Sequence, residues 1–407
     1  MTPETLRAWW FHRQGLDGAC AGRPPAEVLA QTGWARSVGG SAPYLGLHAR
    51  CGAGRAAIDQ AVADLAIHEL PSARGCTYVV PAADFALALR LSQDFGPEAE
   101  MRVGRRLGVT DAEVDRLCTA VLAALAAGPL DPEQLRTATG GAARSLGEAG
   151  KKKGLSTTLP LALGRLQCAG EIRRVPINGR LDQQRYRYTL WRPNPLAGSR
   201  LSAAEAVVEL ARRYFSWIGP SSLAAWQEFA GLGVKAARAA IEPLDLVPLA
   251  TGAGGDGRLL PAEQRAELAG FSPPARPRYA LVSSLDGLFL LRHDLAGLLA
   301  GDDRERQVPA AKGAAAVGGL THLPSHGILD RGRLIGLWEY DPEAGEIVWI
   351  CFGRADEALR AAVAATAGFI RGDLGDARSF SLDSPQSRIP RLQALRAMGA
   401  KEPQDQG

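Results

Sequence analysis

Apolar residues at Val114, Leu117, Cys118, Val121, Leu122 and Leu125 recur at i, i+3, i+4, i+7, i+8 and i+11, which places them on one face of a helix. Thr110 and Glu113 stand ahead of it as a capping box, each side chain satisfying a backbone N–H that the first turn leaves open. Gly128-Pro129 stops this helix, and Asp131-Pro132-Glu133 starts a short one that ends at Gly140-Gly141. Leu159, Leu163 and Leu166 then line one side of a helix that Ser156 can cap and Gly170 ends. From there the period changes to two. Residues 171–176 read as a strand, Asn178-Gly179 as a hairpin turn and residues 184–191 as the return strand. In the return strand Tyr186 and Tyr188 alternate with Arg185 and Arg187, so one face packs while the other presents cations. A recognition helix followed by a two-stranded basic ribbon is the pattern of a winged helix-turn-helix unit.

A similar order is predicted on both sides. Towards the N-terminus, helices start at Thr2-Pro3-Glu4 and cover residues 25–31, 43–50 and 55–65, followed by two strand-like pieces around Arg74-Gly75. Trp9, Trp10 and Phe11 in the first helix are read as core, because aromatic residues at helical spacing pack inward. Beyond residue 197, helices at 202–214, 223–229 and 234–244 precede a wing formed by residues 246–249 and 258–260. This third unit is less basic and reads equally as a packing module or a DNA contact. After Pro277 strands are predicted at 279–283, 288–292, 333–340 and 347–352, with a hairpin at Asp341-Pro342-Glu343 and a closing helix over 355–370. Residues 307–319 read as a mobile Gly/Ala-rich loop, and the end of the chain as a short basic helix followed by disordered residues. The expected class is α+β, with tandem winged helix-turn-helix units at 1–109, 110–196 and 197–275, a β-barrel-like domain at 276–383 and a tail at 384–407.

Composition narrows this picture. The 407 residues, 46% of them apolar, describe a globular chain with room for about two to four domains. No apolar run is long enough to span a membrane, and the N-terminus does not read as a signal peptide, so a cytoplasmic location without a membrane partner is expected. The six cysteines are far apart and include no C-x-x-C pair, which argues for reduced thiols and against a disulfide framework or structural zinc. No metal or cofactor is called for. Charge is more informative. Residues 141–190 carry a net +7 whereas the whole chain carries only +4, so the positive charge lies where a helix and wing would meet phosphates. An ordinary hairpin with solvated arginines would not require that concentration.

The chain resembles the AlkZ/YcaQ-like winged-helix family, which includes DNA glycosylases for bulky alkylated and cross-linked bases. The resemblance rests on ARGCTYVVPAAD (73–84), GKKKGLSTTLPLAL (150–163), LARRYFSWIGPSSLAAW (210–226), LVSSLDGLFLLRHD (281–294) and ILDRGRLIGLWEYD (328–341), in that order. It implies tandem winged helices and a C-terminal barrel lining a channel for double-stranded DNA. Catalytically competent members carry a Gln-x-Gln or Gln-x-Asp pair that holds water in a loop of the first unit. Aligned on Tyr44 to Arg50, that position reads Arg36-Ser37-Val38 here. Val38 cannot orient water and Arg36 would oppose a cationic base, and no Gln, Asp or Glu lies between Gln31 and Asp59.

The nearest substitute acid–base pair is His68-Glu69, ahead of Arg74. The alternative for these two residues is a hydrogen-bonded turn. His322, His326 and Asp330 have a spacing that invites a metal, but Pro324 and Gly327 break the helix that would align them. Gly39-Gly40, 252–257 and Gly318-Gly319 lack the context of a P-loop and read as turns. For DNA contact the candidates are Arg36, Arg74, Lys151, Lys152, Lys153, Thr157, Thr158, Arg185 and Arg187. Three functions remain open: a DNA-binding repair relative without the usual chemistry, a monofunctional glycosylase with a non-standard residue, and a transcriptional regulator. A protein-interaction scaffold is a further possibility outside DNA.

Overall fold

A computed structural model describes residues 1–249, 257–310 and 313–400. The second helix–hairpin group follows the sequence pattern closely. Asp111–Leu125 is a helix whose first turn is capped by the Thr110 hydroxyl, which accepts from Glu113 N at 3.2 Å. Asp131 and Gln134 form a full capping box on Pro132–Thr139. Leu159–Cys168 begins behind Thr158 rather than Ser156, because the buried Thr158 hydroxyl accepts from Arg144 N at 3.0 Å and fixes the chain at that point. Ile172–Pro176 then pairs antiparallel with Tyr186–Leu190. Val114, Leu117, Val121, Leu135, Leu161 and Leu166 close a core drawn from residues 101–190, with Met101 and Val109 entering it from just ahead of the group.

The rest of the molecule is built differently. A three-stranded sheet in the first group has the order Ala35–Arg36, Thr77–Pro81, Ile67–Pro71. The third group carries a small hairpin, Leu246–Pro248 with Leu259–Pro261. A four-stranded antiparallel sheet follows, in the order Glu346–Cys351, Arg333–Asp341, His326–Asp330, Tyr279–Val282. Gln307–Ala310 and Gly313–Ala316 pair apart from it, so residues read as a mobile loop include a hairpin. Among the described residues these strands form small open sheets in a mixed α+β fold, and the expected barrel does not close. Residues 288–292 are not a strand either. They lie in a helix, Gly287–Arg292, capped by Asp286, because a short apolar run has no period of its own and this one is buried on most sides. The helix Pro385–Gly399 is present as expected. The end expected to be disordered, 401–407, and most of the glycine-rich 252–257 turn lie outside the described residues.

Two cores join segments that are distant in sequence. Trp9, Trp10 and Phe11 are almost completely buried together with Tyr214, Trp226, Leu334 and Leu337. The indole nitrogens of Trp9 and Trp10 donate to the carbonyls of Gly219 and Pro220 at 2.8 and 3.1 Å. Arg50, buried, grips Asp286 with two hydrogen bonds of 2.7 and 2.9 Å, and also donates to Gln14 Oε1 at 3.0 Å. This ties the first group to the start of the 287–292 helix. A long helix, Phe85–Arg106, leads from these shared cores into the second group.

Candidate nucleic-acid interface

Most of the Leu159–Cys168 helix is core, and Arg165 on it is paired with Asp111 and Asp115 at 3.1 and 2.5 Å. The exposed cations of this group therefore sit before and after the helix. Lys151, Lys152 and Lys153 are exposed at the end of the Gly147–Lys151 helix; Lys151 is matched by Glu148 at 2.7 Å, while the other two have no acidic partner among the described residues. Arg185 and Arg187 are exposed on the hairpin and likewise unmatched there, while Tyr186 and Tyr188 turn inward. Thr157 is half-buried and Thr158 is fully buried. The structure thus brings Lys152, Lys153, Arg185 and Arg187 to the surface as free charges and leaves Thr158 as a buried support.

Arg36 and Arg74 belong to different surroundings. Arg36 donates to the Thr77 carbonyl at 2.9 Å and lies over the Tyr78 ring. Arg74 takes a left-handed backbone conformation in the turn between the two strands and pairs with Glu228 of the third group at 3.2 Å.

Residues 37–41 form the loop where the resemblance places catalytic chemistry, and they are closely covered. Gly39 adopts a positive φ of 73°, and a Cβ there would collide with the Gln184 side chain in the connection between the two strands of the basic hairpin. Gly40 presses on the backbone of Ser379, where a Cβ has no room. Ser41 N donates to the Arg378 carbonyl at 2.9 Å, and Ser381 N donates to the Val38 carbonyl at 3.1 Å. The basic hairpin and residues 378–381 are therefore the two walls of this loop.

Beneath it lies a buried ionic cluster. The Ser37 hydroxyl donates to Glu69 Oε1 at 2.5 Å, and Arg174 of the basic hairpin approaches Glu69 Oε2 at 3.2 Å. The Arg174 guanidinium also lies 4.6 Å over the Tyr186 ring. Burial works against the charge on Arg174, but Glu69, Tyr186 and Tyr188 together more than offset it and hold the guanidinium above its ordinary range. Burial pushes the Tyr186 hydroxyl up, with the Glu69 carboxylate adding to the effect. Of these residues the sequence offered Ser37 only as the middle of the catalytic-motif position and Tyr186 only as an inward-facing strand residue, and Arg174 was not singled out.

His68 does not join this cluster. Neighbouring residues of a strand face opposite sides, so Glu69 turns towards the face of Ile67 and Val79 while His68 packs edge-on against Phe85 and Trp191. Burial, then the nearby Arg173 and Arg174, push its imidazole down to about 3, and neither ring nitrogen has a hydrogen-bond partner. The two residues cannot exchange a proton as a pair. A pH dependence follows. The native state keeps His68 neutral, so its contribution is fully present above the ordinary imidazole range of about 6.5 and is lost as pH falls towards about 3. Between about pH 7 and pH 5 this amounts to ~2 kcal/mol. A His68→Phe variant should show that much less acid destabilisation in paired urea titrations. Identical pH slopes in variant and parent would assign the effect to another group.

Three comparisons bear on this geometry. The family model described as DNA glycosylase AlkZ-like matches residues 28–369. Among solved structures the chain is similar to the Streptomyces sahachiroi DNA glycosylase AlkZ, with a TM-score of 0.66 at 19% identity, covering 90% of this chain and 97% of that one. At that identity the structural likeness is one of fold. No curated protein matches.

Proposed function

The chain belongs to the AlkZ-like DNA glycosylase family, and from that premise we propose that it is a tandem winged-helix protein that binds duplex DNA, recognising damaged or structured sites in a repair context. The observation that carries this reading is the set of unmatched cations at Lys152, Lys153, Arg185 and Arg187, in a segment far more basic than the chain as a whole. Lys151 and Arg74 would add phosphate contacts by exchanging their exposed acidic partners for the backbone, and Thr157 and Arg36 lie on the elements next to them. The same reading places the protein in the cytoplasm, and no helix among the described residues is long and apolar enough to cross a membrane. Binding to labelled duplexes across a salt titration tests the proposal: affinity should fall steeply with salt, and no binding at low salt would refute it.

A second reading, base excision from Glu69, is favoured by one specific observation. The Ser37–Glu69 contact sits where catalytic members of the family hold water. Against it, Ser37 already holds one carboxylate oxygen by a hydrogen bond, the Arg174 guanidinium lies 3.2 Å from the other, and the loop above is covered. We therefore expect no base release from duplexes bearing N7-alkylated or cross-linked guanine beyond a heat-and-buffer control. Release that disappears in Glu69→Gln would instead establish the enzyme. Independently of activity, Glu69→Gln strands Arg174 without a counter-charge, and should cost about 3 kcal/mol of stability in chemical denaturation.

A further inference from the structure

The segment that covers the loop ends in an apolar tip. Phe380 is 43% exposed and Leu382 83% exposed, in a chain whose other large apolar side chains are mostly buried. The turn that carries them is held rigidly from below. Buried Asp383 accepts from Ser379 N at 3.0 Å and pairs with Arg391 at 2.7 Å, and Arg391 also reaches Glu339 at 2.9 Å. Fully buried Arg388 is paired with Asp376 at 2.7 Å, and His326 bonds to the Ala377 carbonyl at 2.8 Å. Within the turn, Asp383 N donates back to the Phe380 carbonyl at 3.0 Å. A firm base under two exposed apolar side chains is costly in water, and gains its return when a partner covers them.

The position of the tip indicates the partner. Ser381, between the two apolar residues, is bonded to Val38 of the covered loop. Arg378 donates to the Asp182 carbonyl, and Arg180 of the same hairpin donates to the Leu374 carbonyl at 2.8 Å. The tip is thus fastened to the hairpin that displays Arg185 and Arg187. An apolar point beside a row of phosphate-seeking cations matches the design of proteins that push Phe or Leu between base pairs and unstack a step.

We propose that Phe380 and Leu382 form a wedge that inserts into a bound duplex, favouring steps already weakened by a mismatch or a bulky lesion. The proposal rests on the DNA-binding reading above and adds to it what is recognised, a step that unstacks easily. Such steps cost less to open, so the wedge converts local weakness of the duplex into affinity.

The test uses the full chain, duplexes with 2-aminopurine beside a mismatch or in fully paired sequence, and Phe380→Ala/Leu382→Ala. With the parent protein, 2-aminopurine fluorescence should rise on binding, and the mismatched duplex should bind about tenfold more tightly than the paired one. The double variant should bind paired duplex with unchanged affinity and salt slope, yet lose both the rise and the preference. Leu382→Phe, which keeps a wedge, should retain both. A double variant that keeps the rise and the preference overturns the wedge, as does a parent protein that binds duplex without either signal. A parent that binds no duplex at all overturns the DNA-binding reading as well. Concentration-dependent self-association that the double variant abolishes, with fluorescence unaffected, would make the tip a protein contact and likewise overturn the wedge.

Discussion

Arg50→Met should lower the unfolding free energy by about 3–5 kcal/mol, because it leaves Asp286 buried and ionised with its partner gone. Arg50 is buried, and the bidentate contact with Asp286 joins the first helix–hairpin group to the 287–292 helix. Burial alone would depress the guanidinium, yet it is raised, since the facing carboxylate outweighs the burial. The large penalty therefore belongs to breaking the pair, and is no measure of what the pair contributes. An Arg50→Met/Asp286→Leu double variant separates the two. It restores a neutral interior and should recover at least half of the loss, the remainder reflecting the Gln14 and Gly46 contacts of Arg50 and the helix cap supplied by Asp286. Urea unfolding of the three proteins gives the comparison. A single-variant loss below about 1 kcal/mol would mean that water reaches Asp286 once Arg50 is shortened.

The second large effect is on DNA. Neutralising Lys152, Lys153, Arg185 and Arg187 to alanine should make the logarithmic salt slope of duplex binding shallower by about 3–4, close to 0.9 for each phosphate contact removed. Over a fourfold rise in salt, the parent should then lose about 100-fold more affinity than the variant. All four side chains are exposed and have no acidic partner among the described residues, so folding should be little affected. Anisotropy titrations at several salt concentrations read the slope directly. An unchanged slope would move the phosphate contacts to another face of the molecule.

How far the sequence revealed these features depends on the range of the interactions involved. Local signals did well. The six-residue apolar face beginning at Val114, the Thr110 cap, the helix start at Asp131 and the Tyr–Arg alternation at 185–188 all reappear in the structure, although Glu113 does not return the bond that would complete a capping box with Thr110. These depend on nearest turns and neighbouring strand residues, and a short window contains everything needed to predict them. Interactions between distant segments were not legible. Nothing near Glu69 announces that Ser37 and Arg174 will meet its carboxylate. Nothing near Gly40 announces that residues 378–381 will lie over it. The 287–292 helix was misread for a different reason. A short, mostly buried apolar run has no solvent face, so neither a period of two nor one of 3.6 is imprinted on it. His68-Glu69 shows the converse error. Adjacency in sequence was taken for adjacency in space, where a strand guarantees the opposite.

The two kinds of core also set an order of assembly. Residues of the second helix–hairpin group close a core among themselves, and do so as soon as that stretch of chain is available. The N-terminal helix cannot do the same. Trp9 and Trp10 wait for the carbonyls of Gly219 and Pro220, and Arg50 waits for Asp286. During synthesis the 101–190 core can therefore close while the indoles of Trp9 and Trp10 still lack the carbonyls of Gly219 and Pro220. The aromatic helix that carries them is among the best buried segments of the finished fold and is uncovered until those partners exist.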